Sequence, residues 1–160
     1  MRIFSALAVG LVLGMSSLSA AMTVEEAYRA IPHGRTVFDT GAATMDKAEV
    51  RYLQQLFDWV DQAIVAKVST QHGTPVDVAY KKVWEMEGQL KPPAKLQALQ
   101  KVTSQAIHDE YAYLRGNQSK IQSASGEAHE AYNQLMSAYP GENAHNKQAF
   151  YDYYCALDFL

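Results

Sequence analysis

Beyond residue 22 the apolar positions recur every three or four residues, and the strict alternation of a half-buried strand is not sustained anywhere. The cleanest stripe is Leu53, Leu56, Phe57, Val60, Ile64 and Val68, one face of a helix predicted from about Lys47 to Ser69. Asp46 and Glu49 stand at capping-box spacing before it, and His72, Gly73, Thr74 and Pro75 stop it. Thr23 and Glu26 repeat the capping-box spacing and open a short helix to about Ile31. Pro32 ends it, because proline disfavours the helical region for the residue before it. A further helix from about Val76 to Gly88 turns Val76, Ala79, Tyr80, Val83 and Trp84 inward. The last, from about Ala144 to Leu157, buries Phe150, Tyr153, Tyr154 and Leu157.

Residues 92–139 hold one ambiguity. Leu96, Leu99, Thr103, Ile107, Tyr111 and Leu114 form a stripe that continues through Ile121, Ala128, Tyr132 and Leu135, so periodicity allows one long kinked helix. Gly116 and Asn117 make a good helix stop, however, and Ser119 with Gln122 has the spacing of a new cap. Two helices broken near Gly116–Ser119 are therefore expected. The fold class is all-α: an antiparallel amphipathic bundle of about five to six helices, in which short connections make sequential helices neighbours.

The N-terminus changes the picture. Met1 and Arg2 give a positive start, Ile3–Met15 is an apolar run too short for a stable membrane span, and Ser19 and Ala21 are small residues at the cleavage spacing. Residues 1–21 are expected to be a cleavable signal peptide and 22–160 a single helical-bundle domain, exported to a periplasm or secreted, with no transmembrane anchor after cleavage. The chain carries a formal net charge of −3, and loss of Arg2 makes the mature domain slightly more acidic. That balance of interspersed signs argues against nucleic acid as a partner. With one cysteine, Cys155, the domain has no internal disulfide and must rely on its core.

Candidate chemistry is sparse. None of the five histidines stands at ligand spacing with another, and there is no haem-attachment motif, nucleophile elbow or phosphate loop, so no catalytic residue, metal ligand or cofactor is assigned. Asp61 is different, lying about 40° from Phe57 and about 20° from Val68 at 100° per residue, on the flank of the apolar stripe. A carboxylate there needs a donor or a cation. Residues 32–45 supply candidates: a long connection without helical period, carrying His33, Arg35 and Asp39, with Val37 and Phe38 as apolar anchors. Phe38 is expected to insert into the bundle and Arg35 to pair with Asp61, Asp39 or Asp58. This stretch would then be a structural tether, the other reading being a ligand-binding lip built by His33 and Arg35.

The C-terminal helix places Phe150, Tyr153 and Tyr154 inward and turns Tyr151 and Cys155 away from them. With Phe159 they make a candidate partner surface, on which a homodimer could form. The expected role is a non-enzymatic binding or interaction protein for an unknown protein or small ligand. The alternative is a metal- or haem-binding bundle drawing histidines from separate segments, His33 first. An enzyme using a dispersed pair such as His33 and Asp61 comes third.

Overall fold

A computed structural model describes residues 21–159. Apart from Ala21, the expected signal peptide lies outside the described residues. The order is α1 (Val24–Arg29), α2 (Lys47–Gln71), α3 (Val76–Ala79), α4 (Lys81–Glu87), α5 (Gln97–Leu114), α6 (Ile121–Ala138) and α7 (Ala144–Asp158). No strand occurs among the described residues. Thr23 and Glu26 close the expected capping box on α1, and Asp46 caps α2 by accepting the Glu49 N–H at 2.8 Å.

Two glycines fix helix ends. Gly73 (φ +98°) and Gly116 (φ +107°) hold the left-handed conformation that ends α2 and α5. After Gly116 the Asn117 N–H reaches back to the Ala112 carbonyl, and after Gly73 the Thr74 N–H reaches the Ser69 carbonyl. The stripe over 92–139 is thus two helices, as the glycine signal implies. Ser119 does not cap α6; its hydroxyl donates instead to Asn117 Oδ1 at 2.7 Å, and a 3-10 turn, Gln118–Lys120, leads into the helix. The expected Val76–Gly88 helix is also interrupted. Tyr80 separates α3 from α4 at φ −88°, ψ −3°, with its side chain fully buried.

α2 lies at the centre, against α1, α3, α4, α5 and α7. Its burial is therefore wider than one stripe. Tyr52, Trp59, Ala63 and Ala66 are buried along with the predicted face, and the Trp59 indole N–H donates to the Val83 carbonyl at 2.9 Å. Phe57 stacks on Tyr153 of α7 with ring centroids 4.3 Å apart, and Phe38 packs edge-on against Phe57 at 5.3 Å. The connection 32–45 is thereby pinned to the α2–α7 seam, as expected for Phe38.

Wide burial of α2 takes Lys67 into the core, where it is 1% exposed. Its Nζ donates to the Ala156 and Leu157 carbonyls of α7 at 2.9 and 2.7 Å and lies 3.4 Å from Glu110 Oε2 of α5. The Tyr80 hydroxyl donates to Glu110 Oε1 at 2.8 Å. The ammonium thus caps carbonyls in the last turn of α7, whose donors within the helix have run out. Burial pushes the Lys67 ammonium below its ordinary pKa, offset in part by Glu110; burial likewise pushes the Glu110 carboxyl up, against the pull of Lys67 and Tyr80. Removing one partner of such a pair leaves an uncompensated buried charge, whereas replacing both need not. Glu110→Gln is expected to cost about 3 kcal/mol in urea unfolding, and Lys67→Met with Glu110→Leu to recover more than half of that loss. A double variant less stable than Glu110→Gln would show that capping of α7 outweighs the ion pair.

Candidate functional site

Asp61 is 5% exposed. Two segments supply its partners: the Tyr28 hydroxyl of α1 donates to Oδ1 at 2.8 Å, and Arg35 Nη2 of the 32–45 connection donates to Oδ2 at 2.7 Å. The guanidinium also lies over the Tyr28 ring, 4.8 Å from its centroid. Of the three carboxylates proposed for Arg35 the structure selects Asp61. Asp58, one turn earlier and exposed, accepts instead from Gln54. Burial still raises the Asp61 carboxyl above its ordinary value, with Arg35 and Tyr28 pulling the other way. Burial, together with the Asp61 charge, pushes the neighbouring Tyr153 hydroxyl up to about 12.

Asp39 is used within its own turn, where Oδ1 accepts the Gly41 and Ala42 N–H groups at 2.9 and 3.2 Å. Its backbone faces Asn146 of α7, exchanging bonds of 2.8 Å (Asp39 N–H to Oδ1) and 3.1 Å (Nδ2 to the Asp39 carbonyl). The same region of α7 holds the rest of the connection. Glu142 Oε2 accepts from the Thr44 N–H and hydroxyl, Asn143 Nδ2 donates to the Ala42 carbonyl, and the Phe38 N–H reaches the Tyr153 hydroxyl at 3.4 Å. Val37 is not an apolar anchor. Its side chain is 48% exposed while its carbonyl bonds the His145 ring at 2.8 Å, because alternation along an extended strap turns Val37 out when Phe38 turns in.

His33 does not join Asp61. Its Nε2 lies 3.3 Å from Asp152 Oδ1 of α7, and its ring meets the edge of Tyr151 with centroids 5.9 Å apart. Tyr151 in turn meets Tyr132 of α6 at 5.7 Å. The aromatic rings of the 32–45 connection, α7 and α6 thus form one outward row. Tyr151 and Phe159 are 45% and 42% exposed; Cys155, half-buried beside Tyr151, has its thiol pushed up chiefly by burial. A hollow of about 50 Å³ between α6 and α7 is lined by Cys155, Tyr151, Tyr132 and His129. Tyr151 is thus turned outward, as its helical phase implies, with Cys155 half-buried beside it; Phe159, also exposed, lies just past the end of α7.

Among the described residues no group of three or more His, Cys, Asp and Glu side chains converges to hold a metal ion, and no helix is long and apolar enough to cross a membrane. A second exposed cluster was not visible in the helical phase. Trp84 of α4 stacks on His108 of α5 with centroids 4.4 Å apart, and Glu87 pairs with His108 at 2.9 Å. His108 is thus an edge histidine whose ring is packed by another helix. Lys67 and Glu110 were missed as well, since a lysine and a glutamate in helices read as solvated positions.

The Asp61 pairing yields a test of the tether. Arg35→Ala leaves a buried carboxylate with Tyr28 alone and is expected to cost about 3 kcal/mol at pH 7.5. The pH dependence has a definite sign. Loss of Arg35 raises the folded-state pKa of Asp61 further above its unfolded value, so the folded variant takes up its proton first as pH falls. Urea unfolding at pH 7.5 and pH 5 should therefore show the gap to wild type narrowing in acid. An unchanged melting temperature at neutral pH would rule out the tether.

Compared with known family models, curated proteins and solved structures, the chain matches none of them.

Proposed function

We propose that this chain is an exported, non-enzymatic binding or interaction protein that works through the outer face of α6 and α7. The observation that supports this is a division of labour. The charged groups of residues 32–45 already have partners in the fold, Arg35 in a part-buried pair with Asp61 and Asp39 in its own exposed turn, whereas Tyr151 and Phe159 remain nearly half exposed. A group committed to a buried ion pair is poorly placed for ligand exchange; aromatic side chains with one exposed edge are common anchors of protein interfaces.

A second copy of the chain is the partner that fits this face. Tyr151 and Cys155 stand one turn apart, and Phe159 follows directly after the end of α7. Two α7 helices packed antiparallel about a two-fold axis at Cys155 bring Tyr151 of each against Phe159 of the other, a self-complementary contact. Export supplies an oxidising setting in which a cysteine near that axis can also cross-link.

The test uses full-length protein expressed with its leader. Intact mass of the exported product should correspond to residues 22–160, and light scattering should give a dimer. Tyr151→Ser with Phe159→Ser should convert it to a monomer that is still folded and helical, with only the modest fall in melting temperature that loss of the partner and of the Tyr151 edge contacts brings. Cys155→Ser should leave the dimer intact under reducing conditions. A monomer at all concentrations, reduced or oxidised, would overturn the dimer reading, and retention of protein with residues 1–21 in the cytoplasm would overturn export.

A further inference from the structure

Two buried carboxylates meet cations from the start of the 32–45 connection, and the two cations differ in kind. Asp61 is paired with Arg35, whose guanidinium stays charged throughout the accessible pH range. Asp152 of α7, 4% exposed, is paired with His33, whose Nε2 lies 3.3 Å from its Oδ1. Asp152 has little else. Gln148, one turn earlier, donates its side-chain amide to the same oxygen at 2.8 Å. Among the described residues no other cationic group lies within 4.0 Å of the carboxylate. One amide dipole is a weak answer to a buried charge, which calls for a cation or several donors.

The His33 contact is conditional. Nε2 is shielded from solvent, yet its alignment with Oδ1 is too poor for a hydrogen bond, so a neutral imidazole gains little from the carboxylate. A protonated ring gains a short-range Coulomb attraction in a partly buried setting, where salt screens it weakly. Histidine is the side chain that ordinarily changes charge in this way around neutral pH. The ring also meets the edge of Tyr151, with centroids 5.9 Å apart, and Tyr151 meets Tyr132 of α6. The state of His33 therefore bears on the aromatic row as well as on Asp152.

We propose that His33 and Asp152 form a pH-dependent latch between the start of the 32–45 connection and α7. Protonation of His33 closes it and fixes the ring of Tyr151; deprotonation opens it while Arg35 keeps its hold on Asp61. No neighbouring group can take over the role. Tyr151 and Tyr132 are phenols and Cys155, one turn beyond Tyr151, is a thiol, so none of them becomes a cation. Arg35, two residues on, is engaged by Asp61. His145 also touches the connection, but the Val37 carbonyl it bonds accepts from a neutral or a charged ring alike. The sign follows from linkage: the latch stabilises the fold in mild acid, where the folded chain holds the extra proton, and is lost as pH rises through the histidine range. It does not depend on the α7 face having a partner.

The experiment compares thermal melts of the wild type, His33→Gln, Asp152→Asn and the double variant at about pH 6 and about pH 8, on either side of the ordinary histidine range. In the acidic buffer each single variant is expected to lower the melting temperature by about 3 °C, and the double variant by no more than either alone. In the basic buffer His33→Gln should cost far less, and Asp152→Asn should cost nothing or raise the melting temperature, because it removes a buried charge that has lost its cation. This trend is the reverse of the one expected for Arg35→Ala, so a general effect of pH on the fold cannot imitate it. Ring-proton shifts of Tyr151 should move between the two buffers at least twofold further in the wild type than in Asp152→Asn. Equal costs of His33→Gln in the two buffers would reduce the contact to ordinary packing and overturn the latch. Additive losses from the two single variants in acid, or a Tyr151 ring indifferent to pH, would overturn it as well.

Discussion

Helix α2 is surrounded, and it carries two ionisable groups of opposite sign where a buried helix tolerates neither alone. Asp61 and Lys67 are both at least 95% removed from solvent, so each has to be met by groups from other segments. Asp61 draws in Tyr28 from α1 and Arg35 from the following connection; Lys67 draws in Glu110 from α5 and the terminal carbonyls of α7. Four segments are thus oriented by the polar needs of one helix. Apolar packing would hold a bundle together with less regard for register, since hydrophobic attraction is not directional. A lysine that must reach two particular carbonyls is directional, and so is an arginine that must reach one carboxylate.

Polar satisfaction also accounts for the conduct of residues 32–45. A connection of that length carries many backbone donors and acceptors, and α7 presents side chains that meet them: His145 and Asn146 in its first turn and Tyr153 further along, with Glu142 and Asn143 just before the helix. Phe38 supplies the apolar part, pressed between Phe57 and Phe150. The segment is held chiefly by side chain-to-backbone bonds, a form of attachment that leaves no periodic trace along the chain.

That difference explains how much was legible beforehand. Helices signalled by caps and stops, α1, α2 and α5, fall close to their predicted bounds because Thr23, Asp46 and Gly116 act locally. The Arg35–Asp61 pair was legible because a lone carboxylate on an apolar flank demands a cation, and the nearby loop offered one. Lys67 was not, because a lysine at the edge of a stripe is ordinarily solvated, and only the number of helices packed around α2 makes it a core residue. The outward row of His33, Tyr151 and Tyr132 was half legible: helical phase turned Tyr151 out, but the approach of His33 depends on a connection without a period. Val37 shows the same limit, since the facing of an extended segment depends on which of two adjacent residues reaches the core first.

The fastening of residues 37–44 to α7 bears on the order in which the chain can fold. The partners are separated by 98 to 115 positions, so a chain emerging from its N-terminus has made the connection long before it has made the residues that hold it. Until α7 exists, Phe38 lacks Phe150 and Tyr153, and the Lys67 ammonium lacks its carbonyls. Completion of the core is therefore deferred to the last helix synthesised, and nascent chains shorter than about 150 residues have no means of closing it. A chain built in this way closes its core only once its last helix has been made, however early the preceding helices form.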